Sequence, residues 1–217
     1  PADFKTGPQN YSSMELECII LAGGLGTRLR SAVPDLPKCM APLKNKPFLQ
    51  YVIDYLLEQK VNTFIFALGY MNEPIMEFLS KQYPKLNYKI ATEDEPLGTG
   101  HAIMCCQSEL VKNIDSNVLI LSGDVPLLST HTMTDLLNMG SDVKLITTTL
   151  KDPTGYGRII EHDGVFSKIV EQKDCVIDQL HIARVNGGIY CITAQLLCRY
   201  LKQLNNNNSQ SEYYLTD

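Results

Sequence analysis

The segment from Glu17 to Lys38 constrains the chain more than any other, and it reads ECIILAGGLGTRLRSAVPDLPK. Its apolar run from Cys18 to Ala22 is typical of a strand buried on both faces. Glycines at 23, 24 and 26 then allow the backbone to turn sharply and to approach a ligand closely. Backbone N–H groups in such a turn form a concave site for oxyanions, and Arg28 and Lys38 add positive charge that grips phosphates. The segment predicts a triphosphate-binding loop at the carboxyl end of the first strand of an α/β domain.

Two better-known phosphate-binding loops do not fit this segment. A P-loop needs Gly-x-x-x-x-Gly-Lys-Ser/Thr, and no Lys-Ser or Lys-Thr pair follows a glycine here. The dinucleotide-binding fingerprint needs Gly-x-Gly-x-x-Gly, but the run that begins at Gly24 has Leu29 in the last position. A glycine-rich turn that only joins a strand to a helix is the remaining alternative, and three glycines beside Arg28 argue against it.

The bulk composition fits one ordinary globular domain. The chain has 217 residues, 44% hydrophobic and 20% charged, enough to bury a substantial core. A net charge of −5 and a pI near 5.4 argue against a nucleic-acid partner, because no basic stripe is available to release counterions. No apolar run approaches the ~20 residues of a membrane helix and no secretory signal opens the chain, so we expect a cytoplasmic protein without a membrane partner. Seven scattered cysteines without a Cys-x-x-Cys pair fit free thiols in a reducing compartment.

The first thirteen residues are set apart from the rest. Residues 1–13 are polar, contain two prolines and show no periodicity, so we interpret them as a disordered arm or an expression remnant without a function. Residues 14–217, from Met14, are predicted to form a single domain. No repeat of about twenty to fifty residues appears, which excludes a solenoid. No interface helix or heptad run stands out, so the sequence makes no prediction of oligomeric state.

Strands and helices alternate up to Leu150. Strands are predicted at Thr63–Leu68, which reads as buried, and at Tyr88–Ala91, Asn117–Leu121 and Val143–Leu150. Helices are predicted from Pro47, with Phe48, Tyr51, Val52, Tyr55 and Leu56 on one face, and at Glu73–Tyr83, His101–Leu110 and Thr130–Met139. This alternation implies a parallel sheet with right-handed crossovers.

The pattern changes after Leu150. Two short strand-like runs, Arg158–Glu161 and Val165–Val170, flank Asp163-Gly164, which is a strong hairpin signal. A further strand at Gly188–Ile192 and a helix at Ala194–Leu204 follow. We therefore predict an α/β fold with a Rossmann-like, mostly parallel sheet, helices on both faces, and a hairpin-containing second half that would form a lid over the substrate.

Asp124 follows the most apolar strand of the chain, in the run Ser122-Gly123-Asp124. Ligands of open α/β sheets lie beyond the carboxyl ends of the strands, so we expect Asp124 in the same cleft as the glycine loop. A carboxylate there is a natural Mg²⁺ ligand, because Mg²⁺ prefers oxygen and often uses one or two carboxylates with phosphates. The alternative is a cap on the turn before Val125. His101 is assigned to packing at a helix start rather than to nucleotide contact.

The run GGLGTRLR followed by LPK resembles the motif of the sugar-phosphate nucleotidyltransferases, the pyrophosphorylases that make nucleotide sugars. The resemblance extends over nearly the whole chain from about Met14. It implies in-line attack of a sugar 1-phosphate oxygen on the α-phosphorus of a nucleoside triphosphate, with pyrophosphate leaving. By this resemblance Arg28 would hold the β- and γ-phosphates, Lys38 would neutralise charge near the α-phosphate, and Asp124 would hold the catalytic Mg²⁺.

The second half is similar to the N-acetylglucosamine-1-phosphate uridyltransferase domain of the bifunctional bacterial enzyme. The similar runs are DVPL from Asp124, GYGRI from Gly155, IVEQKD from Ile169 and YYLTD from Tyr213. Carried over by motif, Gly157, Glu171 and Asn186 would contact the sugar and its acetamido group, and Thr216 would lie near the sugar phosphate. The structural alternatives are a solvent-facing strand residue for Glu171 and a turn residue for Asn186.

The first half is more similar to the guanylyltransferases of heptose 1-phosphate and mannose 1-phosphate, on the runs GLGTRLRSAVPDLPK and EPLGTG. Pro96 stands where the uridyltransferase has a glutamine that reads uracil, and backbone groups near Gly98 are the alternative readers of the base. The resemblance implies further substrate contacts from Leu21, Ala22, Gly23, Gly24, Gly26, Thr27, Gly98 and Thr99.

Three hypotheses of function follow. The leading one is transfer from UTP to N-acetylglucosamine 1-phosphate, which gives UDP-N-acetylglucosamine and pyrophosphate. The close alternative uses GTP with mannose or heptose 1-phosphate, and the third is a non-catalytic nucleotide-sugar-binding subunit. In the family a later strand carries an asparagine that completes the metal site, whereas this sequence ends at Asp217. The chain is therefore expected to be a fragment, or to hold its metal with Asp124, phosphates and water.

Overall fold

The computed structural model describes residues 16–23, 36–69, 72–95, 97–110, 116–123, 133, 135–136 and 143–204. The strands are β1 Leu16–Leu21, β2 Pro42–Leu43, β3 Lys46–Pro47, β4 Thr63–Leu68, β5 Tyr88–Thr92, β6 Asn117–Ser122, β7 Val143–Thr149, β8 Arg158–His162, β9 Val165–Val170 and β10 Arg184–Thr193. The helices are α1 Phe48–Glu58, α2 Glu73–Gln82, α3 Thr99–Cys106, α4 Ile177–Leu180 and α5 Ala194–Leu201, with 3-10 turns at Lys38–Met40, Gln107–Glu109 and Gln172–Asp174.

A central sheet has the strand order β5-β4-β1-β6-β10-β8-β9, with β7 also paired to β10. Strands β5, β4, β1 and β6 are parallel, and β1 lies between β4 and β6 with Ile19 opposite Ile65 and Ile120. Strand β10 is antiparallel to β6, β7 and β8. The predicted Rossmann-like, mostly parallel sheet is confirmed, and β2 with β3 forms a small separate antiparallel hairpin.

Alternate residues of the parallel strands enter two cores, one on each face of the sheet. One core combines Cys18 and Ile20 of β1 with α1 and α2, and the other combines Ile19 with α3 and α5. Because both faces are covered, β1 and β4 need apolar side chains at nearly every position, which explains their continuous hydrophobic runs. The predicted helices on both faces are confirmed.

The hairpin of the second half forms at the predicted position. Asp163 and Gly164 join β8 to β9 with φ values of 52° and 77°, and His162 pairs with Val165. Two consecutive left-handed residues form the type of two-residue turn whose twist matches that of the strands, which explains the Asp-Gly pair. The hairpin belongs to the central sheet, because Arg158 of β8 pairs with Val185 of β10.

Several predicted details are corrected. Strand β7 does not extend the parallel part of the sheet among the described residues, because β10 returns antiparallel between β6 and β7. The fully buried face of α1 carries Leu49, Val52, Ile53 and Leu56, whereas Phe48, Tyr51 and Tyr55 are half-buried. Both sets share helical spacing, so periodicity alone did not separate them.

Some element ends also differ from the prediction. Helix α3 begins at Thr99, two residues before the predicted start, and ends at Cys106 before a 3-10 turn. Strand β10 is longer than predicted at both ends, and α5 ends at Leu201. Most of the predicted helix at Thr130–Met139 lies outside the described residues. Within the described part, no helix is both long and apolar enough to span a membrane.

Candidate functional site

Backbone hydrogen bonds hold the carboxyl ends of the four parallel strands together. Just beyond β1, Ala22 N donates to Ala67 O of β4 at 3.0 Å. Beyond β5, Glu93 N donates to Leu68 O at 2.8 Å, and beyond β6, Gly123 N donates to Leu21 O at 3.1 Å. The ends of β5, β4, β1 and β6 therefore form one continuous edge, where open α/β sheets bind their ligands.

Gly23 is required where the chains leaving β1 and β4 approach each other. A Cβ added at Gly23 would lie 2.9 Å from Gly69 N and 3.4 Å from the carbonyl carbon of Leu68. Both atoms belong to the backbone, so neither can rotate away. The predicted close approach at Gly23 is thus explained by a second backbone segment of the same sheet edge.

Lys38 is brought toward the same edge by its neighbour Cys39. The 3-10 turn Lys38–Met40 places Cys39 against the end of β6, where a Cβ added at Gly123 would lie 2.9 Å from Cys39 Cβ and 3.4 Å from Leu49 Cδ1. The buried Cys39 is thus packed between α1 and the strand end that leads to Asp124. Lys38, one residue earlier, is half-buried beside this contact.

Gly98 and Thr99 form the start of α3. Gly98 has φ 103° and ψ 173°, a conformation that suits glycine, and its carbonyl accepts a hydrogen bond from Ala102 N at 3.1 Å. Because α3 follows β5 and packs against β5, β4 and β1, its N-terminus lies at the carboxyl edge of the sheet. The N–H groups of a first helical turn favour anions, which suits the predicted substrate contact.

Three of the predicted sugar-contacting residues lie together in the second half. Asn186 N donates to Gly157 O at 2.9 Å. A Cβ added at Gly157 would lie 2.9 Å from Ile169 Cγ2, 3.3 Å from Glu171 Oε1 and 3.5 Å from Glu171 Oε2. The Glu171 carboxylate therefore lies against the bare backbone of Gly157, and Glu171 is half-buried rather than a solvent-facing strand residue.

Asn186 is fixed by a bulge in β10. The pairing of β10 with β7 shifts register between Asn186 and Tyr190, and Gly188 has φ 75°. Within the bulge, Asn186 Oδ1 accepts from Gly188 N at 3.0 Å and Asn186 Nδ2 donates to the Tyr190 hydroxyl. The pKa of Tyr190 is raised to about 12, chiefly by burial, with the Asn186 hydrogen bond opposing the shift and the nearby Glu171 carboxylate adding to it. Each amide atom of Asn186 keeps capacity for one more hydrogen bond.

The strand register places Asn186, and with it the Gly157–Glu171–Asn186 cluster, at the edge where the parallel strands end. Ile189 of β10 lies opposite Leu121 of β6, and β10 runs antiparallel to β6. Residues that precede Ile189, including Asn186, therefore extend past the carboxyl end of β6, toward Gly123. The glycine-rich edge of the first half and the Gly157–Glu171–Asn186 cluster are brought to one end of the sheet.

Several predicted site residues lie outside the described residues, namely Gly24, Gly26, Thr27, Arg28, Asp124 and Thr216. Leu21, Ala22 and Gly23 are described at the end of β1, and Asp124 follows directly after Gly123. The magnesium prediction therefore depends on the sequence, together with the described strand end that leads to Asp124.

Two features at this end of the molecule were not predicted from the sequence. Arg158 is buried, and its guanidinium donates to the carbonyls of Tyr156 and Leu180, so it links the loop before β8 to α4. His101 Nδ1 of α3 lies 2.9 Å from Glu93 Oε2, and Cys105 lies nearby. The spacing of four residues between His101 and Cys105 indicates that they share one face of a helix, but it does not indicate that Glu93 lies beside them.

Comparisons with known proteins identify relatives along nearly the whole chain. Residues 17–215 match the family model described as nucleotidyl transferase. Over 204 residues the chain is 41% identical to the bifunctional protein GlmU of Psychrobacter cryohalolentis and 38% identical to that of Clostridium botulinum, covering 93% and 92% of this chain. It spans only 43% of the length of these relatives.

Solved structures show the same fold. HddC from Yersinia pseudotuberculosis is 28% identical with a TM-score of 0.67, covering 92% of this chain and 83% of that one, and a second structure, 26% identical, contains GMP-PN. A UDP-glucose pyrophosphorylase complexed with UDP-glucose reaches a TM-score of 0.76 at 18% identity, covering 94% and 85% of the two chains. At that identity the last comparison shows the fold alone.

Proposed function

This chain belongs to the nucleotidyl transferase family, and on that premise we propose that it transfers a nucleotidyl group from UTP to N-acetylglucosamine 1-phosphate. The products would be UDP-N-acetylglucosamine and pyrophosphate. The observation that carries the proposal is the Gly157–Glu171–Asn186 cluster, because it lies at the edge where β1 leads into the glycine loop. Gly157 and Glu171 also lie in two of the runs that carry the resemblance to the uridyltransferase.

The first half would bind the triphosphate. The backbone leaving β1 at Gly23 and the first turn of α3 at Thr99 would donate N–H groups to phosphate oxygens, and Arg28 and Lys38 would add charge-assisted contacts to them. Asp124 would hold a Mg²⁺ ion, which supplies charge neutralisation on the phosphates when bound. These groups orient the α-phosphorus for attack and stabilise charge on the leaving pyrophosphate.

The second half would position the attacking sugar. Glu171 offers carboxylate oxygens to sugar hydroxyls or to the acetamido N–H, and Asn186 retains one donor and one acceptor for the same purpose. Gly157 has no side chain to block access to Glu171. A phosphate oxygen of the sugar forms the new bond to the α-phosphorus while the bond to the pyrophosphate oxygen breaks, so no covalent enzyme intermediate is needed.

The direct test is pyrophosphate release with Mg²⁺, with UTP, GTP, CTP, ATP and dTTP crossed against the 1-phosphates of N-acetylglucosamine, glucose and mannose. We expect release with UTP and N-acetylglucosamine 1-phosphate, and we expect Asp124→Ala to abolish it. Release with other pairs alone would overturn the assignment of substrates. Tight binding of a nucleotide sugar without turnover would favour the non-catalytic subunit.

A second candidate uses GTP with mannose 1-phosphate or heptose 1-phosphate. It is favoured by the match to HddC, a structure of which contains GMP-PN, and by the first-half motifs. Both candidates share the phosphate-binding edge and differ in the base and the sugar. Heptose 1-phosphate therefore belongs in the crossed panel, where release with GTP would establish this candidate in place of the first.

A further inference from the structure

Glu93, His101 and Cys105 converge where β5 meets α3. Glu93 follows directly after β5, and its backbone N–H is bonded to Leu68 O, which fixes the start of the connecting segment. His101 and Cys105 are four residues apart on α3 and therefore lie on one face of that helix. One ligand atom from each of the three side chains lies within 4.8 Å of the other two.

The donor atoms are of the kinds that zinc prefers. Zinc binds thiolate sulfur, imidazole nitrogen and carboxylate oxygen at ~2.0–2.3 Å, and sites with three protein ligands leave the fourth tetrahedral position to water. At those bond lengths neighbouring ligand atoms lie roughly 3.3–3.6 Å apart. The separation of 2.9 Å between Glu93 Oε2 and His101 Nδ1 must therefore open slightly, and Cys105 Sγ, which lies within 4.8 Å of both ligand atoms, must approach them by at most about 1.5 Å. Rotations of side chains provide such shifts.

The cluster is also accessible without being fully exposed. The side chains of Glu93 and His101 are 13% and 24% exposed, and Cys105 is half-buried. Partial burial strengthens binding to a cation, and the remaining exposure provides an entry path and room for a water ligand. Magnesium is a poor match, because it requires near-octahedral oxygen coordination, which a thiol and an imidazole do not supply.

We propose that Glu93, His101 and Cys105 form a binding site for a zinc-type divalent cation, separate from the magnesium that the transfer reaction would use. On binding, the Cys105 S–H bond breaks, its proton leaves to solvent, and the thiolate sulfur bonds to the metal. The proton of the hydrogen bond between His101 Nδ1 and Glu93 Oε2 also leaves that contact, so that the neutral imidazole carries its proton on Nε2 and binds through Nδ1. The cation would tie α3 to the end of β5, immediately beside Gly98 and Thr99. It would thereby hold the first turn of α3 against the sheet edge.

The test is a Co²⁺ titration of the full chain after treatment with chelator, because cobalt replaces zinc and its bond to a thiolate gives a charge-transfer absorption. We expect one equivalent to bind with this absorption, and Zn²⁺ to displace it. Cys105→Ser should lose the absorption and bind the metal at least about tenfold more weakly, because even loss of a second-shell partner costs ~10–100-fold in affinity. The matched control is Cys198→Ser, a half-buried cysteine on α5, which should behave as the wild type.

The outcomes decide the proposal independently of catalysis. No thiolate absorption in the wild type, or an unchanged titration in Cys105→Ser, would overturn it and would leave Glu93 and His101 as a hydrogen-bonded pair. Thermal unfolding provides a second readout: saturating Zn²⁺ should raise the melting temperature of the wild type and of Cys198→Ser but not that of Cys105→Ser. A protein that passes both tests yet releases no pyrophosphate would contradict the proposed function alone.

Discussion

The two halves of the sheet form their parts of the candidate site in different ways. In the parallel half, strands β1, β4 and β6 are buried on both faces, and β4 has five consecutive buried residues from Phe64 to Leu68. In the antiparallel half, the edge strand β9 is exposed on both faces, because its first four residues are all exposed. Phe66 of β4 is 0% exposed, whereas Phe166 of β9 is 51% exposed.

The two halves fix the positions of their residues by different interactions. In the parallel half, tight packing brings backbone segments together, as at Gly23 against Gly69 and at Gly123 against Cys39. In the antiparallel half, side-chain hydrogen bonds at a bulge fix Asn186 and Tyr190. Under the proposed function, the rigid backbone would bind the triphosphate, and the cluster of side chains would select the sugar.

The largest expected effect is a difference in stability between substitutions of Phe66 and Phe166. Phe66→Ala should lower the free energy of unfolding by about 3–5 kcal/mol, because it leaves a cavity among Phe64, Tyr88 and the helices of one core. Phe166→Ala should cost less than about 1 kcal/mol, since half of that ring already contacts water. Urea unfolding of the two variants measures both losses in the free energy of unfolding. Similar losses would contradict the division into a packed and an open half.

A smaller effect is expected at the close approach of the strand ends. Gly23→Ala should destabilise the chain by about 1–3 kcal/mol, because the new methyl group meets the Gly69 backbone at 2.9 Å. Gly69→Ala is the matched control, since its Cβ would lie 3.5 Å or more from its neighbours, an ordinary contact. Urea unfolding and KM for the nucleotide should both change in the first variant and stay near wild type in the second. Equal stability and equal KM in the two variants would show that the backbone at this sheet edge is not rigid.

A substitution at Tyr190 tests the side-chain hydrogen bonds of the antiparallel half. Tyr190→Phe removes the partner of Asn186 Nδ2 and should cost about 1 kcal/mol of stability near neutral pH. Since the pKa of Tyr190 is raised from 10.0 to about 12, its neutral form favours folding, and this contribution is complete below pH 10 and is lost as the pH rises toward 12. The wild type should therefore lose its stability advantage over the variant as the pH rises between these limits, and become the less stable of the two before pH 12. A wild-type advantage that persists or grows over this range would contradict the burial of this phenol.

The smallest effect concerns a helix cap outside the site. The Thr193 side chain accepts a hydrogen bond from Leu196 N at 3.4 Å at the start of α5, and Thr193→Ala should cost about 0.5–1 kcal/mol. Thr193→Ser keeps the acceptor and serves as its control. Neither variant should change KM for either substrate. A change in KM would extend the site to the far end of β10.

Local patterns in the sequence predicted much of this fold. The run Thr63–Leu68 is strand β4 with the predicted ends, because a strand covered on both faces is a bounded apolar run. The Asp163-Gly164 turn was also found, because few residue pairs adopt two left-handed conformations in succession. Pairing over long distances was not readable, and β7 was assigned to the parallel part because β10, which pairs with it, comes about forty residues later.

The candidate site likewise contains residues that the sequence predicted and contacts that it did not predict. Gly157, Glu171 and Asn186 were predicted by motif, and they do lie together. The proximity of Glu93 to His101 was missed, because it depends on how the segment after β5 turns back onto α3. Tyr190 was missed as well, since only the register shift in β10 brings its hydroxyl to Asn186.

Under the proposed function, the first half of the chain binds the nucleotide and the second half binds the sugar at one edge of the sheet. The most direct test is the steady-state kinetics of Glu171→Gln with both substrates varied, and Glu161→Gln is the control. Glu161 of β8 pairs with the exposed Arg184 of β10 and lies outside the proposed sugar contacts. We predict that Glu171→Gln raises KM for the sugar 1-phosphate by roughly tenfold, through loss of a charge-assisted hydrogen bond, and leaves KM for the nucleoside triphosphate unchanged. Glu161→Gln should alter neither constant. An equal rise in both constants, or a rise for the nucleotide alone, would contradict the assignment of the second half to the sugar.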